Sequence, residues 1–183
     1  MAAIEAPRLR PMLRSRRLAF ALAAAALFGA GCDTVGTDEP ILVTTERLSF
    51  DFRAGQLVAG QPVTLVAPSL LSVDAAIPGG FFARDVREAT VENVRIEQLV
   101  PSGAVYSLAQ LHDVTFRLNG QDVAVNAAPT GTAAALAATG ADAGGVLRSN
   151  ALQGSLTFTP RTALPEEYGL RVSFVARVTV RGL

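Results

Sequence analysis

Few residues of this 183-residue chain could do chemistry, beginning with one histidine, His112, and one cysteine, Cys32. A single cysteine excludes an intrachain disulfide framework and a cysteine-based zinc site; a single histidine excludes a multi-histidine metal centre. Asp113 follows His112, but a Ser-His-Asp relay needs the acid to hold the imidazole from the side away from the nucleophile. A sequence neighbour rarely does so, and no G-x-S-x-G turn is present. His112 is therefore expected at a turn or on the surface. Glu166-Glu167 follow Pro165 and read as a solvated turn, because neighbours there point apart instead of facing across a cleft as glycoside hydrolysis requires. Asp33, Asp38, Glu39, Asp122 and Asp142 are scattered, and none forms a D-x-D-x-D-G calcium loop. A loop ion held by Asp142 and a second turn is the one cation arrangement left open. Gly144-Gly145 lacks the following lysine and helix of a phosphate-cradling loop. The expectation is no catalytic residue, no cofactor and no metal.

Binding surfaces are equally sparse. There is no Trp, and the only tyrosines are Tyr106 and Tyr168, whereas sugar-binding sandwiches usually stack their ligands on Trp or Tyr. An exposed cleft holding both tyrosines would point to such a ligand. Phe81-Phe82 reads as core or inter-sheet packing, with an exposed apolar tip as the alternative. Arg171, Arg177 and Arg181 read as a solvated sheet face, with a site for an acidic partner as the alternative. All 16 basic residues are arginine, against 16 acids, so no basic excess exists to hold nucleic acid. Half of the residues are hydrophobic and 17% are charged, a composition of a folded chain.

The N-terminus has a different character. Residues 1–31 carry Arg8, Arg10, Arg14, Arg16 and Arg17 against the single acid Glu5, followed by an apolar run from Leu18 to Gly31. About 14 residues cannot span a bilayer core that needs about 20. A basic region and a short apolar run form a secretory signal, starting at Met1 or at Met12. The run ends Leu27-Phe28-Gly29-Ala30-Gly31-Cys32-Asp33. This resembles the lipobox of bacterial lipoproteins, with Gly29, Ala30 and Gly31 before the cysteine and Gly29 standing where Leu or Val is usual. The resemblance implies that Cys32 carries a diacylglyceryl thioether and becomes the mature N-terminus, held at a membrane by its lipid. Either envelope membrane is open to it, the outer one favoured. Removing residues 1–31 leaves 11 Arg and 15 acids, so the mature chain carries 11 − 15 = −4.

Residues 32–40 read as the acylated cysteine and a polar tether. From Ile41 to Leu183 the signals are those of strands. Ile41–Phe52 places Leu48, Phe50 and Phe52 on one face, and Pro62–Ala67 forms a second strand. Val91–Val100 is a third, in which Val91 is out of phase with Val94; that predicts a bulge at Glu92-Asn93. Val114–Leu118 and Asp122–Val125 flank Asn119-Gly120, the best hairpin signal in the chain. Leu152–Phe158 and Leu170–Val180 alternate cleanly. Residues 127–145 read as a small-residue loop in which Ala133–Ala138 could make a helical turn or two.

About seven strands without βαβ alternation predict an all-β, antiparallel β-sandwich, Ig-like or jelly-roll-like, with an eight-stranded barrel second. The strand rhythm resembles that of envelope lipoproteins of the Bacteroidota–Rhodothermota kind, a resemblance that carries no site residues. The expected role is a non-enzymatic binding or structural module with an envelope protein or glycan partner. A ligand-binding accessory lipoprotein for sugar or another nutrient, and more remotely a hydrolase, are the alternatives.

Overall fold

The computed structural model describes residues 40–44, 47–53, 57–100, 107–164 and 167–181. Contacts divide the chain into two units, Met1–Gly36 and Thr37–Leu183, and the described residues belong to the second. They form an all-β sandwich of two five-stranded antiparallel sheets.

Ten strands are described in place of about seven. They are β1 (Ile41–Thr44), β2 (Leu48–Arg53), β3 (Val63–Ser72), β4 (Val86–Val100), β5 (Leu111–Leu118), β6 (Gln121–Asn126), β7 (Ala133–Ala135), β8 (Ala137–Ala138), β9 (Ala151–Pro160) and β10 (Glu167–Val180). Two single turns of α-helix, α1 (Val73–Ala76) and α2 (Gly144–Leu147), and two 3-10 turns, Ala83–Asp85 and Leu108–Gln110, complete the described elements. One sheet runs β1-β10-β4-β7, with β2 also on β10; the other runs β3-β9-β5-β6-β8.

The core follows from period-two alternation. On β10, Leu170, Val172, Phe174, Ala176, Val178 and Val180 are buried, and the residues between them are half-buried or exposed. On β9, Leu152, Gly154, Leu156 and Phe158 are buried in the same way. These two apolar faces meet between the sheets, where Phe116 of β5 lies 5.5 Å from Phe174, ring centre to ring centre. Gly154 lets the sheets come together, since a Cβ there would stand 2.5 Å from Cδ1 of the buried Leu48.

Alternation is interrupted where the register requires it. Glu92 pairs Val175 and Arg95 pairs Ser173, so Asn93 and Val94 together face Phe174. Asn93 has φ of 51°, a conformation that Asn tolerates better than most residues, and Val94 is thereby turned inward. This is the bulge that the phase change between Val91 and Val94 predicts. The second sheet repeats the device, with Asp113 and Val114 opposite the single Phe158 and Asp113 at φ of 53°. Asn119-Gly120 makes the β5–β6 hairpin turn with both φ values positive, 46° and 85°.

Two sequence expectations are corrected. Ile41–Phe52 is not one strand, because β1 and β2 pair β10 in registers that differ by one residue; Val43 and then Leu48 and Phe50 can all point inward as a result. Ala133–Ala138 is not helical. β7 pairs β4 in one sheet and β8 pairs β6 in the other, so the chain crosses between sheets within this segment and buries Leu136 at the crossing. The partners available at two sheet edges outweigh alanine's helix propensity over so few residues.

Replacing Gly154 by Ala should destabilise the domain by about 1–3 kcal/mol through overpacking against Leu48. In denaturant unfolding, pairing it with Leu48→Ala should give less than the sum of the two single losses; additivity would show that the two sites do not touch.

Candidate functional site

An apolar groove lies between the sheets, beside the edge strands β1 and β3. Its volume is about 450 Å³ and its walls include Val43 of β1, Leu70 and Leu71 of β3, Phe174 and Ala176 of β10, and Leu152 of β9. Small-molecule sites run from roughly 300 to 1,000 Å³. Ala75 and Ala76 of α1 and Leu147 of α2 complete the wall, and Ser72 is the lone hydroxyl of the lining.

Why the groove exists is written in β3. Val66 pairs Ser155, whereas Leu70 pairs Gln153, so Ala67, Pro68 and Ser69 occupy the space of a single partner. Proline cannot donate to a ladder and is confined to edges and bulges, and β3 is an edge strand. Past this bulge the chain turns into α1. Ser72 caps the turn by accepting the Ala75 N–H at 3.4 Å. Asn150, at φ of 59° just before β9, the strand paired with β3, clamps it. Its Oδ1 accepts the Asp74 N–H at 2.8 Å, its Nδ2 donates to Asp74 Oδ2 at 2.8 Å, and its carbonyl accepts the Val73 N–H at 2.9 Å. Asp74 Oδ1 in turn accepts the Ala83 N–H at 2.6 Å. The groove wall is held by a closed set of hydrogen bonds between segments 76 positions apart. Ser72 and Asp74 carry an ordinary helix-start signal. Asn150 has no local signal, which is why sequence reasoning does not find the clamp.

The residues singled out in the sequence are dispersed. The His112 imidazole Nδ1 lies 2.7 Å from Asp113 Oδ2, so this sequence neighbour does contact the ring. The bulge is the reason. It places Leu111 and Val114 inward and leaves His112 and Asp113 together on the outer face of β5. Among the described residues, no serine, threonine or cysteine hydrogen-bonds this imidazole. Asp142 Oδ1 accepts the N–H groups of Ala89, at 3.0 Å, and Gly144, at 2.8 Å. These bonds hold its carboxyl below the usual aspartate range and commit it to pinning α2 against β4. Gly144 must be glycine there, because a Cβ would come within 2.9 Å of the Arg87 carbonyl oxygen. Asp122 pairs with Arg117. No group of three or more metal-ligating side chains gathers among the described residues.

On the outer face of β10, Arg177 donates from Nε to Glu92 at 2.9 Å, holding the Glu92 carboxyl below its ordinary range. Phe82 is 45% exposed with the Arg84 guanidinium 4.8 Å above its ring, so the Phe81-Phe82 tip is not core packing throughout. Phe81 is half-buried against the core. Tyr168 is 1% exposed and belongs to the core, so it cannot form an open cleft with Tyr106. Tyr106, Glu166, Asp33, Asp38, Glu39, Cys32 with Gly29, Ala30 and Gly31, and the signal segment 1–31 lie outside the described residues.

No family model matches the chain, and no curated protein or solved structure is significantly similar to it.

Burial pushes the Tyr168 phenol up to about 12, against about 10 for a free tyrosine. The folded state then holds a proton that the unfolded state releases. The stability linked to Tyr168 is complete below pH about 10 and is lost as pH rises towards about 12. Urea unfolding should show this alkaline loss in the wild type and a flatter profile in Tyr168→Phe; identical profiles would refute the assignment.

Proposed function

We propose that this protein is a lipid-anchored component of a bacterial cell envelope whose sandwich domain serves as a non-enzymatic binding or structural module. The observation that carries the reading is the order of the sequence. Five arginines, an apolar run of about 14 residues and a lone cysteine come in that order and spacing. Among the described residues, the first strand begins at Ile41, nine positions after Cys32. Thioether lipidation would also give the only thiol of the chain a role suited to an oxidising compartment.

A second reading, ligand binding by the sandwich, is favoured by the groove at β1 and β3. Its lining does not suit a sugar, the ligand named first for that alternative. A sugar needs aromatic platforms and polar partners, whereas this groove offers aliphatic side chains, Phe174 and one hydroxyl.

Labelling cells with radioactive palmitate tests the anchor. Wild type should take up label, and globomycin should cause its precursor to accumulate. Cys32→Ser should take up none. Absence of label from the wild type together with unchanged processing in Cys32→Ser would exclude the lipoprotein reading.

A further inference from the structure

We propose that the groove between β1 and β3 receives one acyl chain of the lipid on Cys32 of the same molecule when the protein is out of a bilayer. The inference rests on the lipid-anchor reading and adds to it an intramolecular binding site. Three observations lead to it.

The first is the chemistry of the lining. Val43, Leu70, Leu71, Leu152 and Phe174 present hydrocarbon, and no charged side chain contributes to the wall. A charged or strongly hydrated ligand would lose its water there without recovering hydrogen bonds. An alkyl chain loses nothing of that kind and gains from every methylene buried.

The second is reach. Residues Asp33–Pro40 number eight, and eight residues span at most about 29 Å whatever their conformation. The strand they lead into is β1, and Val43, its third residue, is itself part of the groove wall. An acyl chain attached at Cys32 is therefore within tether length of β1, the strand that carries this wall residue.

The third is the lack of a polar anchor. The lining has only Ser72 as a hydroxyl, and that oxygen already accepts the Ala75 N–H and donates to Asn150 Oδ1 at 3.2 Å. Free lipid would bind weakly for want of a group to hold its head. A chain tethered to the same molecule needs no such group, because a short linker supplies an effective concentration in the millimolar range. The opening is also kept in shape without a ligand by the Asp74–Asn150 clamp, so little ordering cost accompanies entry.

Cys32 is the only cysteine, which permits a direct test. The mature chain from Cys32 onward keeps every described core residue, all of which lie between Val43 and Val180. Its thiol is alkylated with an undecyl chain ending in a dansyl group, and emission is read in detergent-free buffer. Blue-shifted emission independent of protein concentration is expected. Ala75→Trp and Leu70→Arg should each lose the shift, and both alter exposed positions, so circular dichroism and the unfolding midpoint should stay at wild-type values. Water-like emission from the unsubstituted groove would overturn the proposal. So would a shift that grows with protein concentration, which would assign the groove to a second molecule, and so would persistence of the shift in both variants. Mass spectrometry of the native N-terminus separates the two readings. A lipidated terminus with water-like dansyl emission removes the groove proposal and leaves the anchor. An unmodified terminus removes the anchor reading, and with it the physiological occupant proposed here.

Discussion

The inner face of β10 has to leave water, and the arrangement of the other strands answers that need. Leu170, Val172, Phe174, Ala176, Val178 and Val180 form a continuous apolar stripe. Each large side chain in such a stripe gains about 1.5–3 kcal/mol on full burial. β4 lies along one edge of the strand and β1 and β2 share the other. The stripe is covered from the opposite sheet by β9 and β5, which present Leu152, Leu156, Phe158 and Phe116. Any slip of one residue in β10 would turn this set to solvent and send Arg171 and Arg177 into the core. The registers of both sheets are therefore tied to one strand.

Bulges reconcile that stripe with long neighbouring strands. At Asn93-Val94 and at Asp113-Val114, a polar residue with positive φ lets the following valine regain the interior opposite a phenylalanine. The irregularity at Ala67–Ser69 lies on an edge and has a different consequence. It diverts β3 into α1 and leaves the groove beside β1. The far side of the sandwich is closed by the alanine segment that passes from β4 to β6. One side is thus sewn by the chain itself and the other offers an apolar opening beside β1.

Much of this could be read from residue types. The alternation of β9 and β10, the hairpin at Asn119-Gly120, the bulge at Asn93 and the antiparallel sandwich all follow from local pattern. The failures have a common cause, which is that a partner distant in sequence overrode a local preference. Ala133–Ala138 met two sheet edges and became strands. Tyr168 occupies an inward position near the start of β10 and is buried instead of offering a platform. His112 and Asp113 share a face only because a bulge intervenes, and the bulge shows in their pairing with β9. Asn150 clamps α1 across 76 positions, a separation at which no spacing rule operates.

Composition and local periodicity, read along the chain, therefore determined the class of fold and the inward set of the long strands. These depend on the residue itself and its near neighbours, through backbone preferences and the period of two. Only the tertiary structure decided which strands share a sheet, where the sandwich is closed, and that an apolar groove stands where β1 and β3 part. Those features arise from contacts between segments far apart in sequence, whose geometry no single segment contains.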